Sequence, residues 1–444
     1  MPQIFIVLLL SNIFHLPTRA SAETINLDLK KAMELAIKSS DELKVKTESI
    51  KASEADFKKA KGSRLPSLDL STKLQRYTNQ STRSVWTHVG TNNTAVQVDV
   101  PIKKDYGFES SITLSQVIYT FGKISSAIQA ASAGVNTTQL DRNNFENELR
   151  FSVTQSVLGT ILANKSMSIF KESLNNAKAN HSIFRKRFSR GRAPQSDSLR
   201  LQRDIESRKP NLEQAEENLG IAMSNLKMLT GIPFEKDLSL DNKWPIQKPI
   251  PDLNKARSMI KERSTGLKLA RSNIDLKTEL LNSKKSALFP DIAFFANSSL
   301  SGEDDQSDFS SDGSKLGLTT FGLSINVPLY AGGTRYYDIA KSKAELNQAV
   351  FSFNDTSKKL HLLLESLYIQ HQSYSKQVSS NRKFLDLAKS TFKMSQRRFK
   401  TGQASIIELN DAENLLTQAK LQIEQSLYNK NLVHGEILKL LNLI

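Results

Sequence analysis

Much of this 444-residue chain is written twice. Lys31-Ala32 recurs as Lys255-Ala256, Leu43-Lys44 as Leu267-Lys268, and Leu65-Pro66-Ser67-Leu68 as Phe289-Pro290-Asp291-Ile292, all 224 positions apart. Further on, Tyr119-Thr120-Phe121-Gly122 is answered by Tyr330-Ala331-Gly332-Gly333. Arg187-Phe188 with Gly191 is answered by Arg398-Phe399 with Gly402, now 211 positions apart. The 13-residue change of spacing places one insertion between Pro66 and Tyr119. A duplication of this length constrains the fold more than any composition does, because both halves must adopt one architecture. Residues 23–250 and 251–444 are expected to be two structural repeats.

Each repeat reads as helix, two strands, very long helix, short break and second helix. Leu29, Ala32, Leu35, Ala36 and Leu43 form a helical stripe in residues 27–64, ended by Leu65-Pro66, where the proline ring stops the helix. From Gly122 to Phe188 no proline interrupts a helical pattern that would be roughly 100 Å long. After Pro194, Ile205, Leu212, Leu219 and Leu226 recur every seventh residue, a coiled-coil seam with a kink expected at Pro210. The second repeat places matching helices near 252–288, 333–399 and 405–441.

The first 22 residues carry an apolar run, Ile4 to Leu10, and the small-x-small site Ala20-Ser21-Ala22, the pattern of a cleaved secretory signal peptide. Its removal costs only Arg19 among charged residues, so the formal charge of +16 is essentially a property of the exported chain and not a nucleic-acid signal. No later apolar run is long enough to span a bilayer as a helix, so entry into a membrane would have to be as a closed β-barrel. With no cysteine, the chain has no disulfide, thiol nucleophile or lipid-anchored cysteine.

The strand segments suit a membrane. Phe321, Leu323, Ile325, Val327 and Leu329 alternate with Gly322, Ser324, Asn326 and Pro328, the pattern of an outer-membrane strand. Ile112, Leu114 and Ile118 keep the same parity, with Gln116 as the exception, and Leu68, Leu70 and Leu74 set the first strand. Strands are expected at about 67–79, 108–120, 291–301 and 316–329, with residues 77–105 and the acidic 301–315 as loops. Four strands cannot close a membrane barrel, whose smallest members have about eight, so the chain must oligomerise if it forms one. Tyr119 and Tyr330 sit at equivalent strand ends and read as an aromatic girdle or as core packing.

In this order and twice over, these elements resemble the TolC-like outer membrane efflux proteins. The resemblance rests on Arg64-Leu65-Pro66-Ser67-Leu68 with Ala287-Leu288-Phe289-Pro290, on Ile118-Tyr119-Thr120-Phe121-Gly122 with Leu329-Tyr330-Ala331-Gly332-Gly333, and on the turns at 187–200 and 398–411. It implies a mainly α fold with membrane β: a homotrimer whose 12 strands form one barrel on a long periplasmic α-helical barrel. It also implies an outer-membrane location in a Gram-negative bacterium, with lipid around the barrel. The tip would dock to an inner-membrane pump or ABC transporter through a periplasmic adaptor. The duct would export small molecules or, in type I secretion, proteins. No nucleic acid, cofactor or metal is implied.

The same resemblance assigns roles at the tips. Glu408 and Asp411 align with two acidic residues that line the narrowest part of the tunnel, and as i and i+3 they share a helix face. Rings of carboxylates favour cations. The same Glu408 also completes a capping box with Ser405, a purely structural role. Asp197 and Arg200 take the places of Glu408 and Asp411 in the first copy, and Asp197 resembles an acid that keeps the tunnel shut. Phe399 stands where the family usually has a tyrosine and Ala404 where some members have arginine, so the gate is expected to use other contacts, with Arg190 or Arg192 as candidates. Arg187, Arg190, Gly191 and Arg192 in one turn, with Arg398, Gly402 and Ser405 in the other, are the expected adaptor-docking surface. Cations in a last helical turn also simply offset the helix dipole.

An enzymatic reading finds little support. The six histidines are scattered, and no HExxH, P-loop or GxSxG occurs. The rival from another class is a periplasmic coiled-coil scaffold or adaptor without a channel.

Overall fold

A computed structural model describes residues 25–78, 82–101, 106–189, 195–245, 248–304 and 316–444. The expected signal peptide lies outside them. The chain divides into two compact units. One comprises the chain up to Val45, Asn143–Ser264 and Lys359–Ile444; the other comprises Lys46–Arg142 and Thr265–Lys358. The elements run β1 (Ile25–Leu27), α1 (Leu29–Ser39), α2 (Asp41–Gly62), β2 (Ser67–Arg76), β3 (Thr82–Val89), β4 (Thr94–Pro101), β5 (Tyr106–Tyr119), α3 (Lys123–Phe188) and α4 (Gln195–Thr230). They continue with β6 (Leu238–Leu240), α5 (Leu253–Arg263), α6 (Thr265–Ser286), β7 (Asp291–Asp304), β8 (Leu316–Asn326), α7 (Thr334–Thr401) and α8 (Ile406–Leu440).

The sheet of the second unit is four-stranded and antiparallel, in the order β2-β5-β7-β8. Its register lines up Leu68, Leu114, Ala296 and Phe321 across all four strands on one face, with Leu70 beside Ile112 and Ile292 beside Ile325. The opposite face places Asp69, Thr113, Asn297 and Thr320 in one row, where Asn297 Nδ2 donates to Thr113 Oγ1 at 2.7 Å. The apolar face is exposed: Leu68, Leu70, Leu74, Phe321, Leu323 and Ile325 all face away from any core. Such a face is stable only against lipid or a partner.

The sequence readings need several corrections here. Residues 77–105 are not one loop, since β3 and β4 form an antiparallel hairpin inside them, with Val85 opposite Val98 and Thr87 opposite Val96. The segment expected to be a single helix over 27–64 breaks at Ser40, whose backbone is extended (ψ 111°), and the matching one over 252–288 breaks at Ser264 (ψ 119°). Ser40 Oγ accepts from the Leu43 N–H at 3.2 Å, so the break is a capped helix start. Asp28 and Asp252 cap α1 and α5 in the same way, each accepting a backbone N–H of the first turn. The last strand ends at Asn326, not 329, because Pro328 has no N–H to donate to a ladder. Tyr330 therefore lies beyond the strand, 85% exposed, whereas Tyr119 does end β5. Of the acidic 301–315 segment, residues up to Asp304 continue β7, and the rest lies outside the described residues.

The first unit is helical apart from β1 and β6, which pair in parallel, Ile25 with Leu238. Three apolar clusters hold it together. Leu27, Ala32, Ala36, Leu149, Val153 and Leu226 make one. Ala256, Ile260, Leu364, Leu367, Val433 and Ile437 make its counterpart in the second repeat. The buried pairs Ala32 and Ala256, Ala36 and Ile260, and Leu43 and Leu267 keep the 224-residue spacing. α4 runs through Pro210 as one assigned helix. Its seam matches expectation only at Leu226, which is fully buried; along the rest of the helix the buried heptad positions are Leu201, Arg208 and Ala215, four residues before Ile205, Leu212 and Leu219, which are half-buried. A charged residue thus occupies the deepest stripe.

Candidate functional site at the helical tip

The turn between α7 and α8 is built from local backbone chemistry. Gly402 adopts φ +82°, a conformation that costs a residue with a Cβ, and it lets the Gln403 N–H return to Arg398 O at 2.8 Å, closing the C-terminus of α7. Ser405 caps α8, its Oγ accepting from the Glu408 N–H at 3.1 Å. The Glu408 side chain does not complete the box. Its Oε1 accepts from Arg398 Nη1 at 2.8 Å, while Arg398 Nη2 donates to Gln403 O at 3.2 Å. Arg398 is therefore a staple within its own turn, and part of the positive charge read as a docking feature is neutralised by Glu408. Both side chains are well exposed, so the pair adds under about 1 kcal/mol.

Asp411, one turn further along α8, is exposed. In the first-repeat turn, Asp197 lies in the first turn of α4 and approaches Arg200 Nη1 at 4.0 Å. Arg190, Gly191 and Arg192 lie outside the described residues, as does the side chain of Arg187. Phe399 does not face the surface. It is 1% exposed and packs in a cluster with Phe184, Phe392, Leu201, Ile406 and Leu409, with Ala404 against its edge. Glu408 and Asp411 are thus presented by a helix whose opposite face anchors the tip.

Directly behind that apolar cluster lies a polar junction that the sequence reading missed. Arg208 Nε donates to Asp204 Oδ2 at 3.0 Å, Nη1 donates to Ser173 Oγ, and Nη2 donates to Asn414 Oδ1 at 3.1 Å. The three helices α3, α4 and α8 meet on this one guanidinium. Glu413 of α8, 1% exposed, lies 3.7 Å from Arg208 Nη1 and accepts a long bond, 3.4 Å, from Asn180 Nδ2. Burial pushes its carboxyl up to about 7; the nearby Arg208 charge pulls the other way, and Asp204 adds to the rise. The signal that could have found it was an acid one residue from the Leu409, Ala412, Leu416, Ala419 stripe and a base on the matching stripe of α4.

The histidines are not all scattered either. His434 Nδ1 and His371 Nε2 lie 3.4 Å apart, and His434 Nε2 lies 2.7 Å from Lys248 O. Burial, His434 and Lys430 hold His371 below its ordinary value. Among the described residues no group of three His, Cys, Asp or Glu side chains forms a metal site.

A sheet with one exposed apolar face and one hydroxyl- and amide-lined face, in a chain that also carries helices of 66 and 68 residues, fits a class: channel-forming proteins of the outer membrane with a helical periplasmic part. Sequence comparison fixes the family. Residues 32–232 and 256–434 match the outer membrane efflux protein family, and the chain belongs to it. Among curated relatives, the probable outer membrane lipoprotein SilC of Salmonella typhimurium is 23% identical over 348 residues, 77% of this chain and 73% of that one. Among solved structures, CusC superposes with a TM-score of 0.77 at 17% identity, covering 96% of this chain and 95% of that one. The CmeC outer membrane channel of Campylobacter jejuni gives 0.77 at 16% identity, covering 93% and 85%. SilC is described as a lipoprotein; this chain has no cysteine to carry such an anchor.

Proposed function

We propose that three copies of this chain close one 12-stranded barrel in the outer membrane. The assembly would serve as the exit duct of an efflux or type I secretion system, reached from an inner-membrane transporter through a periplasmic adaptor. The observation that carries this reading is the open sheet: β2 and β8 each have one unpaired edge, and an apolar face rules out leaving the sheet uncovered in water. Family membership supports the duct. In this reading Glu408 and Asp411 line the constriction, with Asp197 and Arg200 in the partner turn, and the Arg398, Gly402 and Ser405 turn meets the adaptor together with Arg187, Arg190, Gly191 and Arg192. Phe399 acts only as the anchor of the gate helix. Tyr119 marks the inner membrane boundary, and Tyr330 borders it from the loop. A channel of this kind needs no catalytic group.

The absence of cysteine makes the test clean. Single cysteines introduced in pairs along β2 and β8 should yield covalent, heat-modifiable trimers in the outer-membrane fraction; monomers that dissolve without detergent would overturn the duct. In planar bilayers, Glu408→Gln with Asp411→Asn should lower cation preference several-fold. Unchanged selectivity would remove these two residues from the constriction.

A further inference from the structure

Glu413 is out of place as an ordinary ion-pair member. Its neighbour Arg208 has Nε, Nη1 and Nη2 committed to Asp204, Ser173 and Asn414, and makes no hydrogen bond to it across the 3.7 Å gap. Glu413 Oε1 is buried with no hydrogen-bond partner, and so is the Oδ1 of Asn180, the residue that touches its other oxygen. A carboxylate removed from water needs both oxygens satisfied, and an orphaned acceptor beside another orphaned acceptor is relieved by a proton. The charged groups acting on Glu413 are Arg208 and Asp204 from α4 and Glu172 from α3, and a hydrogen bond from the Asn176 side chain of α3 favours the ionised carboxylate, short of offsetting burial; none of these charges comes from α7. Glu172 is itself held by Lys420 of α8 at 2.5 Å.

We propose that Glu413 is a proton-operated latch: neutral, it leaves Arg208 free to tie α3, α4 and α8 together behind the tip, and ionised, it draws Arg208 away and loosens that junction. The side chain is five residues beyond Glu408 on the same helix, so a change in how α8 is held reaches the tip turn directly. The sign follows from linkage. An acid whose folded value is raised from 4.5 to about 7 stabilises the fold fully below about 4.5, and that stabilisation is lost progressively as pH rises from there to about 7, above which it changes no further. The latch is closed on the acid side. It concerns packing behind the tip and stands whether or not the assembly conducts.

The test is thermal and chemical unfolding of the detergent-purified full chain between pH 5.5 and 8.5, comparing the natural protein with Glu413→Gln, a near-isosteric neutral replacement. The unfolding constant should rise on the order of 30-fold more in the natural protein than in the variant, with most of the difference built up below pH 7 and a levelling off above it. Arg208→Gln removes the one charge that favours ionisation and should move the midpoint upward in pH. Infrared difference spectra between the two pH values should show a protonated carboxyl signal that Glu413→Gln abolishes. Parallel pH profiles for the natural chain and Glu413→Gln, or an Arg208→Gln midpoint that stays in place, would overturn the latch.

Discussion

Phe399 shows why a residue's identity alone does not reveal its role. By alignment it stands at the gate, and its missing hydroxyl implies a lost gate contact. In the fold it is buried among Phe184, Phe392, Ile406 and Leu409. Restoring the tyrosine should therefore destabilise the tip by about 1–3 kcal/mol, the cost of burying an unpaired hydroxyl. Phe399→Ala should cost about 3–5 kcal/mol through cavity formation. Circular dichroism melts of both variants check this, and a Phe399→Tyr protein more stable than its parent would show that the buried ring edge meets a polar partner. Glu413 is the converse case. Its polar letter lay within an apolar helical stripe, and only the facing helix, some two hundred positions earlier in the chain, explains its burial.

At the scale of elements, what was legible followed from periodicity and punctuation. The proline-free runs gave α3 and α7 nearly to the residue, and alternation gave β2, β5, β7 and β8 with errors at the ends. Features that depend on a partner far away in sequence were not legible. The β1–β6 pair is three residues on each side, too short to leave a pattern. The breaks at Ser40 and Ser264 leave the apolar stripe unbroken across them, so periodicity passed over two helix caps. Gly231, which ends α4, reports the same docking. Its φ is +68°, and a Cβ there would fall 2.4 Å from that of Ser39 at the end of α1. Gly231→Ala should cost roughly 1–3 kcal/mol from backbone strain and clash, measurable as a lower unfolding midpoint. Adding Ser39→Gly should recover only the clash; full recovery would mean the backbone adapts freely.

At the scale of the whole molecule, the helical unit has three cores of its own, whereas the sheet unit exposes apolar side chains on one face and, among the described residues, leaves the outer edges of β2 and β8 without a partner strand. The two parts therefore become complete at different stages. The helical unit forms its cores within one chain, although Leu199, Leu362, Ile369 and Leu387 remain exposed. In the proposed trimer the sheet reaches its lowest free energy only when β2 of one copy meets β8 of another, a head-to-tail contact between unlike edges that ends when the ring closes. The last step of folding is then a collision, and its rate rises with the amount of chain exported. In that assembly the stability of the sheet becomes a function of protomer concentration, more so than that of the helical cores formed within each chain. Dilution into detergent should separate the two, lowering the melting of the strands and leaving the helices behind.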